Sequence, residues 1–287
     1  MRLPFRIVDV FAERPLAGNQ LCVVPDAGDL DTDLMRAIAV EIGFSETAFV
    51  TGIDGDRYDL RIFTPGKEMP FAGHPTVGTA FLLVSEGRIR SPAVQRVRAG
   101  DFHVEADPEA GTARVRQLPP TFGPEVRDPE RLARAVGLRP EDLHPDLPAQ
   151  VVSTGLPHFV VPAATTDAVA AAMPEQRTLS EVVREAQTDG LYLFALTEKG
   201  AKARFFGEGI GIDEDPATGS AAGPLGAYLA ARGLGGLPGS MVVRQGEEIG
   251  RPSAIHVEVA PDGESWAVLV GGGVFVVGRG EFDLPDA

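Results

Sequence analysis

Apolar and polar residues alternate through Phe5-Arg6-Ile7-Val8-Asp9-Val10-Phe11, the two-residue period of a half-buried strand, and Pro15 with Gly18-Asn19 predicts a turn after it. Leu21 to Val24 reads as a second strand ended by Pro25. Asp31 or Thr32 is suited to cap a helix running to about Ile42, with Leu34, Ile38 and Ala39 on one face and Gly43 as its stop. Strands are expected at Glu46–Val50, an apolar run that opens on a charge, and at Tyr58–Phe63.

A longer pattern follows. Arg61-Ile62-Phe63-Thr64-Pro65 leads into Glu68-Met69-Pro70-Phe71-Ala72-Gly73-His74-Pro75-Thr76-Val77-Gly78 and the apolar run Thr79 to Val84, closed by Gly87. This reads as strand, loop, helix start, buried helix and glycine stop. It returns as Arg204-Phe205-Phe206, then Glu214-Asp215-Pro216-Ala217-Thr218-Gly219-Ser220-Ala221-Ala222, then Leu225 to Ala231, closed by Gly233. An offset of 146 places Glu68 on Glu214, Pro70 on Pro216, Gly73 on Gly219, His74 on Ser220, Leu83 on Leu229 and Gly87 on Gly233. The preceding strand needs an offset of 143, Arg61 on Arg204 and Phe63 on Phe206, so the second copy has a longer loop, which chains tolerate well. Chance alignment of common Gly and Pro residues is the competing explanation, and the ordered matches weigh against it. Two similar α/β domains are therefore expected. The boundary should lie where Leu118-Pro119-Pro120-Thr121-Phe122-Gly123-Pro124 interrupts any regular pattern, with a return crossing near Gly271-Gly272-Gly273. That gives domains 1–120, completed by a C-terminal strand at about 274–287, and 121–273.

The first turn of a helix offers unpaired N–H groups and the positive end of the macrodipole, so a carboxylate docked there gains hydrogen bonds without an arginine. Gly73 and Gly219 would let a ligand approach such donors, and paired helix starts are expected to face one another across a cleft between the domains. His74 lies beside the first start, where the dipole favours its neutral form. Asp215 and Ser220 flank the second, and helix capping explains both as well as ligand contact does. Glu46 opens an apolar strand; it is either a solvated strand end or a carboxyl whose burial tunes it for proton transfer. Gly155-Leu156-Pro157-His158 precedes the strand Phe159-Val160-Val161, so His158 is a further candidate for lining the cleft.

Charge and cysteine count narrow the chemistry. The net charge of −15 repels phosphate backbones and anionic lipid, so neither nucleic acid nor membrane is an expected partner. Arg2, Arg6 and Asp9 interrupt the N-terminal apolar residues, so no signal peptide or membrane span is expected and a cytoplasmic location follows. Cys22 is the one cysteine, which rules out an intrachain disulfide and a cysteine-rich metal site.

Several stretches together resemble the phenazine-biosynthesis PhzF-like family, relatives of diaminopimelate epimerase in fold. They are Val8-Asp9-Val10-Phe11 with Gly18-Asn19; Phe44-Ser45-Glu46-Thr47-Ala48-Phe49; Arg61 to Pro65; Phe71 to Thr76; Glu214 to Ser220; and Gln245-Gly246-Glu247-Glu248-Ile249-Gly250-Arg251-Pro252. The resemblance implies an α+β fold of two pseudo-symmetric domains, each a curved mixed sheet wrapped around a central helix, and a homodimer. It also implies an isomerase that moves a proton within a small carboxylate-bearing substrate, without metal or organic cofactor. Glu46 would be the acid/base, with His74 and Asp215 as its catalytic companions and Ser220, Gly73 and Gly219 holding substrate; His158 is placed with these binding residues. The epimerase relatives use two cysteines at the paired helix starts, where this chain has Ala72 and Thr218, so a two-thiol epimerase is excluded. A racemase pairing Glu46 with Asp215, or a binding protein without turnover, are the alternative expectations.

Overall fold

The computed structural model describes residues 1–284. In chain order the elements are β1 (Arg2–Val10), β2 (Asn19–Val24), α1 (Thr32–Ile42), β3 (Glu46–Asp54), β4 (Arg57–Phe63), β5 (Glu68–Met69), α2 (Gly73–Ser85), β6 (Ala93–Val97), β7 (Gly100–Asp107) and β8 (Thr112–Arg116). They continue with β9 (Thr121–Val126), α3 (Pro129–Ala135), β10 (Ala149–Ser153), β11 (Pro157–Pro162), α4 (Thr166–Ala171), α5 (Gln176–Ala186), β12 (Gly190–Thr197), β13 (Gly200–Gly207), β14 (Glu214–Asp215), α6 (Gly219–Ala230), β15 (Gly239–Gln245), β16 (Ser253–Asp262) and β17 (Ser265–Asp283). The chain divides into two compact units, Met1–Arg116 with the chain from Gly271 onward, and Gln117–Val270. The expected strand at 274–287 corresponds to the end of β17; residues 285–287 lie outside the described residues. Leu118-Pro119-Pro120 is irregular as expected, but Thr121–Val126 is not: it forms β9 and pairs antiparallel with β10. Among the described residues no helix is long and apolar enough to cross a membrane.

The first unit is a mixed sheet. β1 runs antiparallel to both β17 and β2, β2 is parallel to β3, β3 antiparallel to β4, β4 parallel to β6, and β6, β7 and β8 follow antiparallel. β17 also runs beside β8, where the Val274 N–H donates to Gly111 O at 2.9 Å. The second unit repeats this order of directions: β10 antiparallel to β11, β11 parallel to β12, β12 antiparallel to β13, β13 parallel to β15, and β15 antiparallel to β16.

Each unit encloses one helix. α2 packs on β1, β2, β3, β6, β7 and β8, and every residue from Gly73 to Leu83 is buried; all of α6, from Gly219 to Ala230, is buried as well. Both helices are apolar on all sides, which suits a helix with no solvent face. The strands come so close that a Cβ on Gly78 would stand 2.7 Å from Val10 Cγ2, and one on Gly226 2.6 Å from Val257 Cγ1. The other helices lie outside the sheets and pack by one face; α1, for example, buries Met35, Ile38 and Ala39.

The repeat extends to its ion pairs. Arg61 makes two parallel hydrogen bonds to Glu68, both 2.8 Å, and its guanidinium stands 5.1 Å from the Phe63 ring. Arg204 does the same to Glu214, at 2.8 and 2.7 Å, with the Phe206 ring 4.8 Å away. In both units this pair staples the end of a long strand to a two-residue strand, with Phe63 opposite Glu68 and Phe206 opposite Glu214. The staple sets where the loop leaves for the enclosed helix. Arg204 also donates to the carbonyls of Val169, Ala170 and Ala172 at the C-terminal end of α4, at 3.3, 3.3 and 2.7 Å, where a cation is favoured by the dipole.

Removing Arg204 would strand a largely buried carboxylate and three carbonyls, whereas Glu68 keeps better access to water if Arg61 is removed, because Arg61 itself is 29% exposed against 9% for Arg204. Arg204→Met is expected to cost about 3–5 kcal/mol in urea unfolding, and Arg61→Met clearly less. Equal losses would show that burial does not set the strength of these staples.

Candidate active site

Four of the helices are closed by a side chain at their N-terminus. Asp31 accepts from Leu34 N–H, Asp128 from Arg131 N–H, Thr165 from Ala168 N–H, and Glu175 from Arg177 and Thr178 N–H. The two enclosed helices are the exceptions. Ala72 and Thr218 hold the cap positions of α2 and α6, and neither makes a side-chain cap hydrogen bond. Both starts are buried, where water does not complete the first turn by default. In α2 the first-turn donors are Gly73 and His74, because Pro75 has no N–H; in α6 they are Gly219 and Ser220, because Ala221 N–H returns to Thr218 O at 3.0 Å. Each start thus keeps its first-turn N–H groups and its positive dipole end in the interior, the arrangement suited to a carboxylate.

In the first unit Glu46 and His74 come together beside Gly73. Glu46 heads β3 and is 13% exposed, with Oε2 3.4 Å from His74 Nδ1. Asn19, at the head of β2, places Nδ2 3.1 Å from the same His74 nitrogen and is itself buried. Two proton placements suit this trio. With the Asn19 amide donating, Nδ1 bears no proton; with the amide turned over, Nδ1–H faces the Asn19 and Glu46 oxygens. Asn19 was not among the site residues selected from the sequence, where it appeared only in the Gly18-Asn19 turn and as part of a family-like stretch.

In the second unit Asp215, Ser220 and His158 surround the α6 start, and two of the sequence readings change. Asp215 and Ser220 are not helix caps: Asp215 closes β14 and accepts from the Thr218 hydroxyl at 2.5 Å, and Ser220 is the second residue inside α6. His158 is not in the glycine loop but within β11, buried, with Nε2 3.0 Å from Ser220 Oγ and its ring edge-on to Phe205. Burial pushes the His158 imidazole down to about 3, so it is neutral at physiological pH. The second residue of the enclosed helix, His74 or Ser220, is therefore contacted in each unit by a side chain from the second strand, Asn19 or His158.

The two starts differ at the position of Glu46. Thr47 lies opposite Phe63 and Leu191 opposite Phe206, so the residue before each, Glu46 or Gly190, occupies the same place in the repeat. A side chain cannot be placed at Gly190: its Cβ would stand 2.4 Å from Phe206 O and 2.5 Å from the Phe205 ring. The other groups weighed from the sequence sit apart from this chemistry. Cys22 is in the core, where burial pushes its thiol up to about 12 and keeps it protonated.

His158 has a measurable consequence. Its folded pKa lies below the unfolded value of about 6.5, so the folded state binds fewer protons and its contribution to stability is full above that value. Stability should fall from about pH 6.5 downward by about 1.4 kcal/mol per pH unit for this group. His158→Gln should flatten that part of the stability profile, and its imidazole resonances should not titrate between pH 5 and 8 in NMR spectra.

Residues 8–280 match the family model of the phenazine biosynthesis-like proteins, PhzC-PhzF. A trans-2,3-dihydro-3-hydroxyanthranilate isomerase from Pseudomonas fluorescens is 35% identical over 97% of this chain and 98% of its own. The crystal structure of a PhzF-family phenazine biosynthesis protein from Bacillus anthracis superposes with a TM-score of 0.88 at 29% identity, covering 99% of this chain and all of the other. A probable proline racemase from Agrobacterium radiobacter, 12% identical with a TM-score of 0.72 over 99% of this chain and 93% of its own, shares the fold. The mixed sheets with few helices, the enclosed helix of each unit and these likenesses agree on the α+β, diaminopimelate epimerase-like fold. The chain belongs to the phenazine biosynthesis-like (PhzF) family of isomerases.

Proposed function

We propose that the protein is a one-base isomerase of a small amino- or hydroxy-carboxylic acid. Glu46 removes a proton from a carbon beside an unsaturated system, the electron pair delocalises as the double bond shifts, and the protonated Glu46 returns the proton at another carbon. The first-turn donors at Gly73, beside Glu46 and His74 in the first unit, hold the substrate carboxylate and offset the charge that develops. His74 orients Glu46 and the substrate; in the second unit, the start of α6 at Gly219, with Asp215 and Ser220 beside it, is suited by itself to the carboxylate, amine or hydroxyl groups of such a molecule.

The observation that carries this reading is the pairing of Glu46 with His74 at an uncapped, buried helix start. The contrast between Glu46 and Gly190 supports one base rather than two. A racemase needs an acid/base on each face of a stereocentre, and the place that the repeat offers for the second one is a glycine pressed against Phe205. Asp215, the other candidate for that part, already accepts from the Thr218 hydroxyl. The Pseudomonas fluorescens relative acts on trans-2,3-dihydro-3-hydroxyanthranilate, which combines the amine, hydroxyl, carboxylate and unsaturation that this site suits, so that compound is the first to assay.

Glu46→Gln keeps the size of the side chain and removes its titrating proton. Turnover should drop by about 100-fold or more with KM changed only a few-fold. An unchanged rate would remove Glu46 from the mechanism. In D2O the product should show a shifted double bond; a labelled product of inverted configuration with its unsaturation in place would identify a racemase instead.

A further inference from the structure

Gln245, the last residue of β15, belongs to a stretch whose role the proton transfer does not explain. Its side chain is buried, 1% exposed, and makes four hydrogen bonds. The polarity of these bonds is forced. Thr218 N–H can only donate, so the Gln245 atom 3.1 Å from it is Oε1, which also accepts from Tyr192 Oη at 3.0 Å. Burial, and next the charge of Asp215, push the Tyr192 phenol far above its ordinary value, so it remains a donor. Nε2 then lies at the other end, donating to Asp215 O at 2.8 Å and to Thr218 Oγ1 at 3.0 Å. Because Thr218 Oγ1 accepts from Gln245, its one proton is directed to Asp215 Oδ2, 2.5 Å away.

We propose that Gln245 is a positioning residue that holds the Asp215 side chain, through Thr218, as an oriented hydrogen-bond acceptor for the substrate's amine or hydroxyl group. This rests on the reading of Asp215 as a substrate-facing residue. Donor direction passes from Tyr192 to Gln245 to Thr218 to Asp215, and each member is buried, so a reversed or missing link leaves an unpaired polar group in a site of low polarity. The backbone reinforces the clamp: a Cβ on Gly246, whose φ is +81°, would stand 2.5 Å from Pro216 O, and Ser253 Oγ donates to the same carbonyl at 3.1 Å.

The first unit holds its helix start with the same three residue types. Tyr58 Oη donates to Gln95 Oε1 at 3.0 Å, Gln95 Nε2 to Thr76 Oγ1 at 2.8 Å, and Thr76 Oγ1 to Ala72 O at 2.8 Å, on the peptide that precedes Gly73. These are not copies. Arg57 pairs with Val94 where Gly200 pairs with Val242, so the repeat puts Gln245 on Val97 and Gln95 on Val243. A Tyr–Gln–Thr relay therefore stands at both helix starts from unrelated positions, which points to a requirement of the site rather than to inheritance from one ancestral repeat. Only the relay in the second unit ends on an ionisable side chain.

The test is a double-mutant cycle on trans-2,3-dihydro-3-hydroxyanthranilate, with Gln245→Met to keep shape and burial and Asp215→Asn to remove the group that Gln245 acts through. Gln245→Met alone should lower kcat/KM by about 10-fold or more, and by less than about 2-fold when Asp215 is already Asn. Equal losses in both backgrounds would overturn the proposal and assign Gln245 to stability alone. An unchanged kcat/KM in Asp215→Asn would instead overturn the reading of Asp215, and this proposal with it, while leaving Glu46 standing. A crystal structure of Gln245→Met decides the same point without any substrate. Asp215 should be rotated away from Thr218, and an Asp215 to Thr218 bond kept as in the parent would overturn the proposal.

Discussion

A helix buried on every side, and buried from its first residue, is the constraint on which each unit of this protein depends. Such a helix must be apolar all round and narrow where strands cross it, which accounts for the runs of Gly, Ala, Val and Leu in α2 and α6. It must also leave its first N–H groups inside the protein. Peripheral helices of the same chain close that end with an Asp, Thr or Glu, and the enclosed ones do not. A buried helix start that its own cap residue does not close is suited to an acceptor from outside, and the dipole makes an anion the favoured one. A chain with net charge −15 can in this way hold a carboxylate without spending a lysine or arginine on it.

The repeat separates frame from chemistry. Strand directions, the Arg–Glu staple with its neighbouring Phe ring, the short strand after it and the helix start all recur. The groups that could move a proton do not. Glu46 in one unit answers to Gly190 in the other, and His74 answers to Ser220. The Phe205 ring stands where a side chain at Gly190 would go, so the difference is sealed by packing and not by residue identity alone. Two copies of one frame therefore carry unlike polar groups at their helix starts.

Buried polar groups here work by direction as much as by presence. In a dry interior a hydroxyl or amide must choose one partner for each proton, and a main-chain N–H at one end of a relay decides the orientation of every group after it. Thr218 N–H does this for Gln245 and so for the Asp215 side chain. His158 is the complementary case. Desolvation keeps it uncharged, so it can meet Ser220 with one donor and one acceptor without adding a cation to the site.

Much of this protein was legible in its sequence because the enclosed helix leaves a local signature: a glycine start, an unbroken apolar run, a glycine stop and a strand with Arg two residues before Phe. The repeated signature placed the helix starts at Gly73 and Gly219, and the single cysteine removed thiol chemistry. Glu46 was different. Its strand position left it one carboxylate among many, and the pattern of a family singled it out. What no sequence pattern held was contact across the sheets. Asn19 reaches His74 over 55 positions, His158 reaches Ser220 over 62 and Gln245 reaches Thr218 over 27, each through strand register and not through local periodicity. That Gly190 answers to Glu46 likewise emerged only from strand pairing. Burial patterns are written locally because each residue's preference for the interior is its own, whereas the partners of a buried polar group are chosen by the tertiary structure that surrounds it.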